Sequence, residues 1–99
     1  MIVQFATNRL KESFEKSERA TRTWGSVVGG KYIQRVNILQ SVQNFTDLHK
    51  IRFLRLHKLS GQRDNQYSII LDRRWRLIVA YSEIDDAILV VWVTNHYGD

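Results

Sequence analysis

Leu56-His57-Lys58-Leu59-Ser60-Gly61-Gln62-Arg63-Asp64-Asn65-Gln66-Tyr67-Ser68-Ile69-Ile70-Leu71-Asp72-Arg73-Arg74-Trp75-Arg76 is the stretch that decides the fold class of this chain. Tyr67, Ile69 and Leu71 fall on one face of an extended segment, and Ser68, Ile70 and Asp72 on the other. Asp72-Arg73-Arg74 reads as a tight turn. Beyond it Trp75, Leu77, Val79 and Tyr81 mark one face, while Arg74, Arg76, Ile78 and Ala80 mark the opposite one. Glu83-Ile84-Asp85-Asp86 makes another turn, rich in the aspartates that turns favour. Ala87 to Val93 is nearly all apolar, as expected of a strand covered on both faces. Upstream, Phe53 to Leu59 reads as a strand and Gly61 to Asn65 as a polar loop.

The N-terminal half has a different period. Ile2 to Phe5 is short, apolar and extended. Asn8 can cap a helix on which Leu10 and Phe14 stand one turn apart. Gly25, Gly29 and Gly30 interrupt the next segment. Tyr32, Val36, Leu39 and Val42 then recur at helical spacing, so a second helix runs to about Gln43. Asn44-Phe45-Thr46-Asp47 is a break followed by a single capped turn. The order is strand, helix, helix, then a meander of strands. That predicts one α+β domain over 1–99, with two N-terminal helices on one face of a small, mainly antiparallel sheet.

Composition narrows the function. The chain has 99 residues and no cysteine, which excludes a disulfide framework or a thiolate zinc site. No apolar run approaches the roughly 18–20 residues of a membrane span. Met1-Ile2-Val3-Gln4-Phe5 lacks the basic start and apolar stretch of a secretory signal, so a cytoplasmic location is expected. The net charge of +5 is unevenly placed. Residues 50–76 hold eight basic groups (Lys50, Arg52, Arg55, Lys58, Arg63, Arg73, Arg74 and Arg76) against two acids, while the remainder holds seven against eight. Concentrated positive charge attracts a polyanion. Ten arginines against five lysines point to phosphate, whose oxygens the guanidinium fork matches.

Strand alternation locates the chemistry. If Tyr67, Ile69, Leu71, Trp75, Leu77 and Val79 face the helices, Arg74 and Arg76 point to the open face. No metal-ligand spacing links His49, His57 and His96, and Gly29-Gly30 is not followed by the Lys-Ser/Thr pair of a phosphate loop. What remains is Arg63, Arg76, His96 and Tyr97, with Lys58, Arg73 and Arg74 nearby. RNA cleavage by attack of a ribose 2′-hydroxyl on the neighbouring phosphorus needs a proton acceptor, stabilisation of the phosphorane charge, and a proton for the leaving 5′-oxygen. Arginines serve the charge, and a histidine serves either proton transfer. The plainer readings are a solvated loop charge for Arg63, a salt bridge from Arg76 to Asp72 or Glu83, and an ordinary chain end for His96 and Tyr97.

The chain resembles the HigB-type toxins, the plasmid maintenance killer branch of the RelE/ParE superfamily. The resemblance rests on Leu56-His57-Lys58-Leu59-Ser60-Gly61-Gln62-Arg63, Gln66-Tyr67-Ser68-Ile69 and Trp75-Arg76-Leu77-Ile78. These match, without a gap, the family's Leu-His-Pro-Leu-Lys-Gly-Asp-Arg, aromatic-Ser-Ile and Trp-Arg-Ile segments. The resemblance implies an mRNA interferase that cuts messenger RNA in the ribosomal A site, with no metal or other cofactor. It also implies neutralisation by a helix-turn-helix antitoxin in a hetero-oligomer. Arg63 and Arg76 would contact the scissile phosphate. The family's closing Asp-Tyr-His falls on Thr94-Asn95-His96, or one residue later on Asn95-His96-Tyr97, so His96 and Tyr97 are both candidates for proton transfer. Ser60 stands at a family lysine, whose place Lys58 could take, and Lys58, Ser60, Arg73 and Arg74 are candidate RNA contacts. Two other functions fit the same fold: a ParE-like inhibitor of DNA gyrase that cuts nothing, and a degenerate module that retains only antitoxin binding.

Overall fold

The alternation in the second half of the chain becomes a sheet with one apolar side. Ile69, Leu71, Leu77, Val79, Ile88 and Val90 are each at most 1% exposed and belong to one cluster with Leu10, Val28, Tyr32, Val36 and Leu39. In the computed structural model, which describes residues 1–61 and 65–96, the elements run β1 (Ile2–Phe5), α1 (Asn8–Glu15), α2 (Ser17–Trp24) and α3 (Ser26–Ser41). Two 3-10 turns come next, Phe45–Lys50 and Arg52–Leu54, and then β2 (His57–Lys58), β3 (Gln66–Asp72), β4 (Trp75–Ser82) and β5 (Ala87–Thr94). The sheet order is β1-β5-β4-β3-β2. The last four strands form the antiparallel meander, and β1 adds parallel to β5. This is the expected α+β architecture, with helices packed on one face of the sheet.

Local details differ from the sequence reading. Helix α1 is capped by Thr7, whose Oγ1 accepts from the Leu10 N–H at 3.1 Å, with Asn8 the first helical residue. The structure adds a helix, α2, that apolar periodicity does not reveal, since Ala20 is its one buried residue. What replaces a hydrophobic stripe is close approach. A Cβ placed on Gly29 of α3 would lie 2.8 Å from the Ala20 carbonyl carbon and 2.9 Å from its oxygen. The two helices therefore meet main chain against main chain, and Gly25, at φ 86°, makes the turn between them. The strand expected over Phe53 to Leu59 shrinks to His57–Lys58. Residues 52–54 wind into a 3-10 turn that sinks Leu54 into the core, and Arg55 is left-handed at φ 48°.

Strand β5 carries a bulge. Ile78 pairs with Trp92 and Val79 with Val90, which leaves Val91 as an extra residue. The bulge resets the alternation: Ile88 and Val90 face the helices before it, and Val93 packs against the core after it. β5 is not covered on both faces as expected, because Trp92 on the reverse side is 47% exposed. Leu59 and Ile78 are buried yet stand outside the main cluster, a smaller apolar patch on that reverse side.

Tyr32 ties α3 to α1. Its hydroxyl donates to the Leu10 carbonyl at 2.6 Å, and the ring is fully buried. Burial pushes the phenol well above its ordinary ionisation range. The folded state therefore keeps the proton where the unfolded chain would release it. This contribution is complete below about pH 10 and is lost as pH rises beyond it, at up to about 1.4 kcal/mol per pH unit. Tyr32→Phe should cost about 1 kcal/mol at neutral pH and flatten the alkaline fall in stability, as measured by denaturant unfolding between pH 7 and 11.

The adjacent glycines should behave oppositely. Gly29→Ala forces main chain apart and should destabilise by roughly 1–3 kcal/mol. Nothing lies within 4 Å of a Cβ on Gly30, so Gly30→Ala should stabilise by about 0.5–1 kcal/mol. Urea unfolding midpoints check both.

Candidate functional site

The end of the sheet where β3 turns into β4 gathers the cations. Arg73 and Arg74 form the turn, both exposed, with Arg73 left-handed at φ 50°. Asp72 pairs with Trp75 across it, and Leu71 is skipped in the ladder. Arg76 lies one residue into β4, opposite Ile70 on one side and Thr94 on the other. Its neighbour Leu77 is fully buried on the helix side, so alternation turns Arg76 to the reverse side, as the sequence predicted. The guanidinium folds back onto the turn, where Nη1 donates to the carbonyls of Arg73 and, at 3.0 Å, Trp75. The salt bridge from Arg76 to Asp72 is not what forms: Asp72 takes Lys31 of α3, at 3.2 Å.

Across the Arg76–Thr94 pair the chain leaves β5. Thr94 is 4% exposed, and its Oγ1 accepts the His96 N–H at 3.0 Å. That bond fixes how the chain turns out of the strand and brings His96 over the β3–β4 turn. Asp72, Arg73, Arg74, Trp75, Asn95 and His96 line one open hollow of about 590 Å³. A histidine, two arginines, an amide and an indole thus line one hollow.

The other candidate residues are placed differently. Lys58 and Ser60 are exposed near the β2 edge of the sheet. Lys58 pairs with Tyr67, and β3 and β4 separate it from β5. With strands about 4.8 Å apart, these two residues do not share the hollow. Arg63 and Tyr97 lie outside the described residues. Sequence reading passed over Asp72 and Trp75 as lining groups. It also passed over a second basic region: Lys31 and Arg35, four residues apart on α3, beside Arg52 and Arg55. Arg52 and Arg55 belonged to the basic window, but only the fold shows that α3 brings two more cations to them.

A five-stranded mixed sheet with its helices on one side and cations gathered at one end is the architecture of a RelE/ParE-type toxin. A solved structure with this fold, the YoeB/ParE toxin from Agrobacterium tumefaciens, is 14% identical, with 98% of this chain and 100% of that chain covered and a TM-score of 0.58. The chain belongs to the HigB-like toxin family, described as the RelE-like toxin of the type II toxin-antitoxin system HigB, whose pattern matches residues 3–96. No curated protein sequence matches it. Membership of a type II toxin family implies an antitoxin partner. Among the described residues, no helix is long and apolar enough to cross a membrane.

The Thr94 bond gives a test of the site's geometry. Thr94→Val keeps the shape but removes the acceptor for the His96 N–H. Growth arrest on induced expression should weaken, while Thr94→Ser retains it. The melting temperature of Thr94→Val should fall only slightly, since the bond is half-buried and His96 itself is exposed, which lets water replace the lost acceptor.

Proposed function

We propose that this chain is a single toxin domain spanning residues 1–99, and that it is a ribosome-dependent endoribonuclease that cuts messenger RNA in the A site. The observation that carries the reading is the hollow in which Arg73, Arg74, Asn95 and His96 meet, with Arg76 beside it through its pairing with Thr94. In this reading the protein works in the cytoplasm, where a helix-turn-helix antitoxin holds it inactive in a hetero-oligomer.

The reaction can be written from the groups present. The ribose 2′-oxygen attacks the adjacent phosphorus as its proton passes to a base. The P–O5′ bond breaks, and the 5′-oxygen takes a proton from an acid. The products are a 2′,3′-cyclic phosphate and a 5′-hydroxyl end, and atoms and charge balance without a further reactant. His96 serves one of the two proton transfers, because an imidazole can both accept and give a proton near neutral pH. Arg73 and Arg74 neutralise the charge that builds on the phosphorane, with donors already in place before the reaction starts. Arg76 holds the turn that carries them and adds its own charge to that field. Trp75 gives a base a face to stack on. Arg63 and Tyr97 complete the set by resemblance, as a second phosphate contact and the other proton-transfer group. Lys58 and Ser60, away from the hollow, suit contacts to flanking nucleotides.

His96→Gln should reduce cleavage roughly 100-fold or more, the scale of a lost acid–base group, and abolish growth arrest. The measurement is primer extension of transcripts from induced cells, with new ends at codon boundaries expected only from the unaltered protein. Growth arrest that survives His96→Gln without new mRNA ends would move the reading to a gyrase-type target. No arrest from the unaltered protein would leave an antitoxin-binding module.

A further inference from the structure

A second basic groove lies on the other side of the β3–β4 turn. Helix α3 runs beside the end of β3 and is lashed to it twice. Arg35 Nε donates to the Ile70 carbonyl at 3.2 Å, and Lys31 Nζ pairs with Asp72 at 3.2 Å. Four residues of helix rise about 6 Å and two residues of strand about 6.6 Å, so the two ties fit without distortion. The 3-10 turn at Arg52–Leu54 forms the opposite wall. Between them lies an open groove of about 580 Å³ whose lining includes Lys31, Arg52, Phe53, Arg55, Arg73 and the buried Arg35.

Three properties of this groove point to one class of ligand. Its five cations face a single carboxylate, Asp72, already engaged by Lys31. Arg52 and Arg55 are exposed and enter no salt bridge among the described residues. Phe53 is 52% exposed, and the Arg35 guanidinium lies 5.1 Å from its ring centroid. The cation lies over the ring, and about half of Phe53 is left exposed for a stacking partner. An exposed aromatic between arginines suits an unpaired base between two phosphates, whereas an acidic peptide would use the charges and leave the ring idle. Asp72 and Arg73 border both this groove and the hollow at His96, so a strand leaving one enters the other.

We propose that this groove is a second RNA-binding site, which holds the phosphates of the single strand flanking the bond to be cut and stacks one of its bases on Phe53. The proposal rests on the reading of the protein as an RNA-cutting toxin, but binding can be measured without cleavage.

The experiment uses a fluorescent twelve-nucleotide 2′-O-methyl RNA, which lacks the attacking hydroxyl, a six-nucleotide version, and a twelve-base-pair duplex. Affinities are read by anisotropy across a salt series. The proposal expects the twelve-mer to bind more tightly than the six-mer. The double variant Arg52→Gln/Arg55→Gln should lose about tenfold in affinity and lower the salt slope by about 1.4, as two phosphate contacts to a single strand require. Phe53→Leu should weaken the single strand and leave the duplex unchanged. Lys11→Gln/Lys16→Gln, with the same loss of charge on another surface, is the control and should change little. Melting temperatures confirm that each variant is folded.

Equal losses in the control, or none in the double variant, overturn the groove as a site. A duplex that binds more tightly, with Phe53→Leu without effect, overturns the single-strand assignment in favour of folded RNA. Unchanged RNA binding with loss of the co-expressed antitoxin from the double variant reassigns the groove to that partner and overturns the proposal. His96→Gln separates the two readings, since it should reduce cleavage roughly 100-fold or more while binding of the uncut strand keeps its dependence on Arg52, Arg55 and Phe53. If the unaltered protein binds the strand in the groove but cuts no mRNA, the groove stands and the cleavage reading falls.

Discussion

The register between β4 and β5 is the constraint on which the candidate site at the β3–β4 end of this molecule depends. Leu77 and Val79 must point into the helices, and so must Ile88, Val90 and Val93 on the neighbouring strand. An unbroken β5 could not satisfy both halves of that list, because Val90 and Val93 are three residues apart and alternation repeats every two. The bulge at Val91 resolves the conflict. As a result Thr94 stands beside Arg76 on the reverse side, and the chain leaves the strand at the β3–β4 turn. Hydrophobic burial therefore sets where a histidine and several arginines meet, although none of those polar groups contributes to the core.

The turn itself is braced by its own surroundings. Arg76 donates to two carbonyls of the turn, and Lys31 reaches across from α3 to Asp72. These exposed or half-exposed contacts are worth little individually. Together they tie the backbone of the turn that carries Arg73 and Arg74 to β4 and α3. Asp72, the residue that Lys31 engages, lines both basic hollows together with Arg73.

Much of this was legible in the residues. Alternation in 67–81 gave the strands, their faces and the outward direction of Arg76, because period-2 patterning directly records a sheet with one buried side. The motif around Leu56, Gly61 and Trp75 gave the family. Helix α2 was not legible, since its packing uses a single alanine and a neighbouring glycine rather than an apolar stripe. The short β2 was misjudged because an extended run and a 3-10 turn with one left-handed residue show similar apolar content. At the site, His96 and the turn arginines could be listed but not assembled. The groove on α3 was invisible, because Lys31 and Arg35 are far in sequence from Arg52 and Arg55, and nothing in their local spacing announces a shared surface.

The contact at Gly29 limits how this fold can change. The atoms that crowd a side chain there are the Ala20 carbonyl and the Thr21 nitrogen, and every residue type has them. No compensating substitution on α2 can make room, as a smaller neighbour often can in an ordinary core. Position 29 is thus bound to the path of the backbone rather than to the identity of a partner's side chain, so a change on α2 does not relieve the strain of a side chain there.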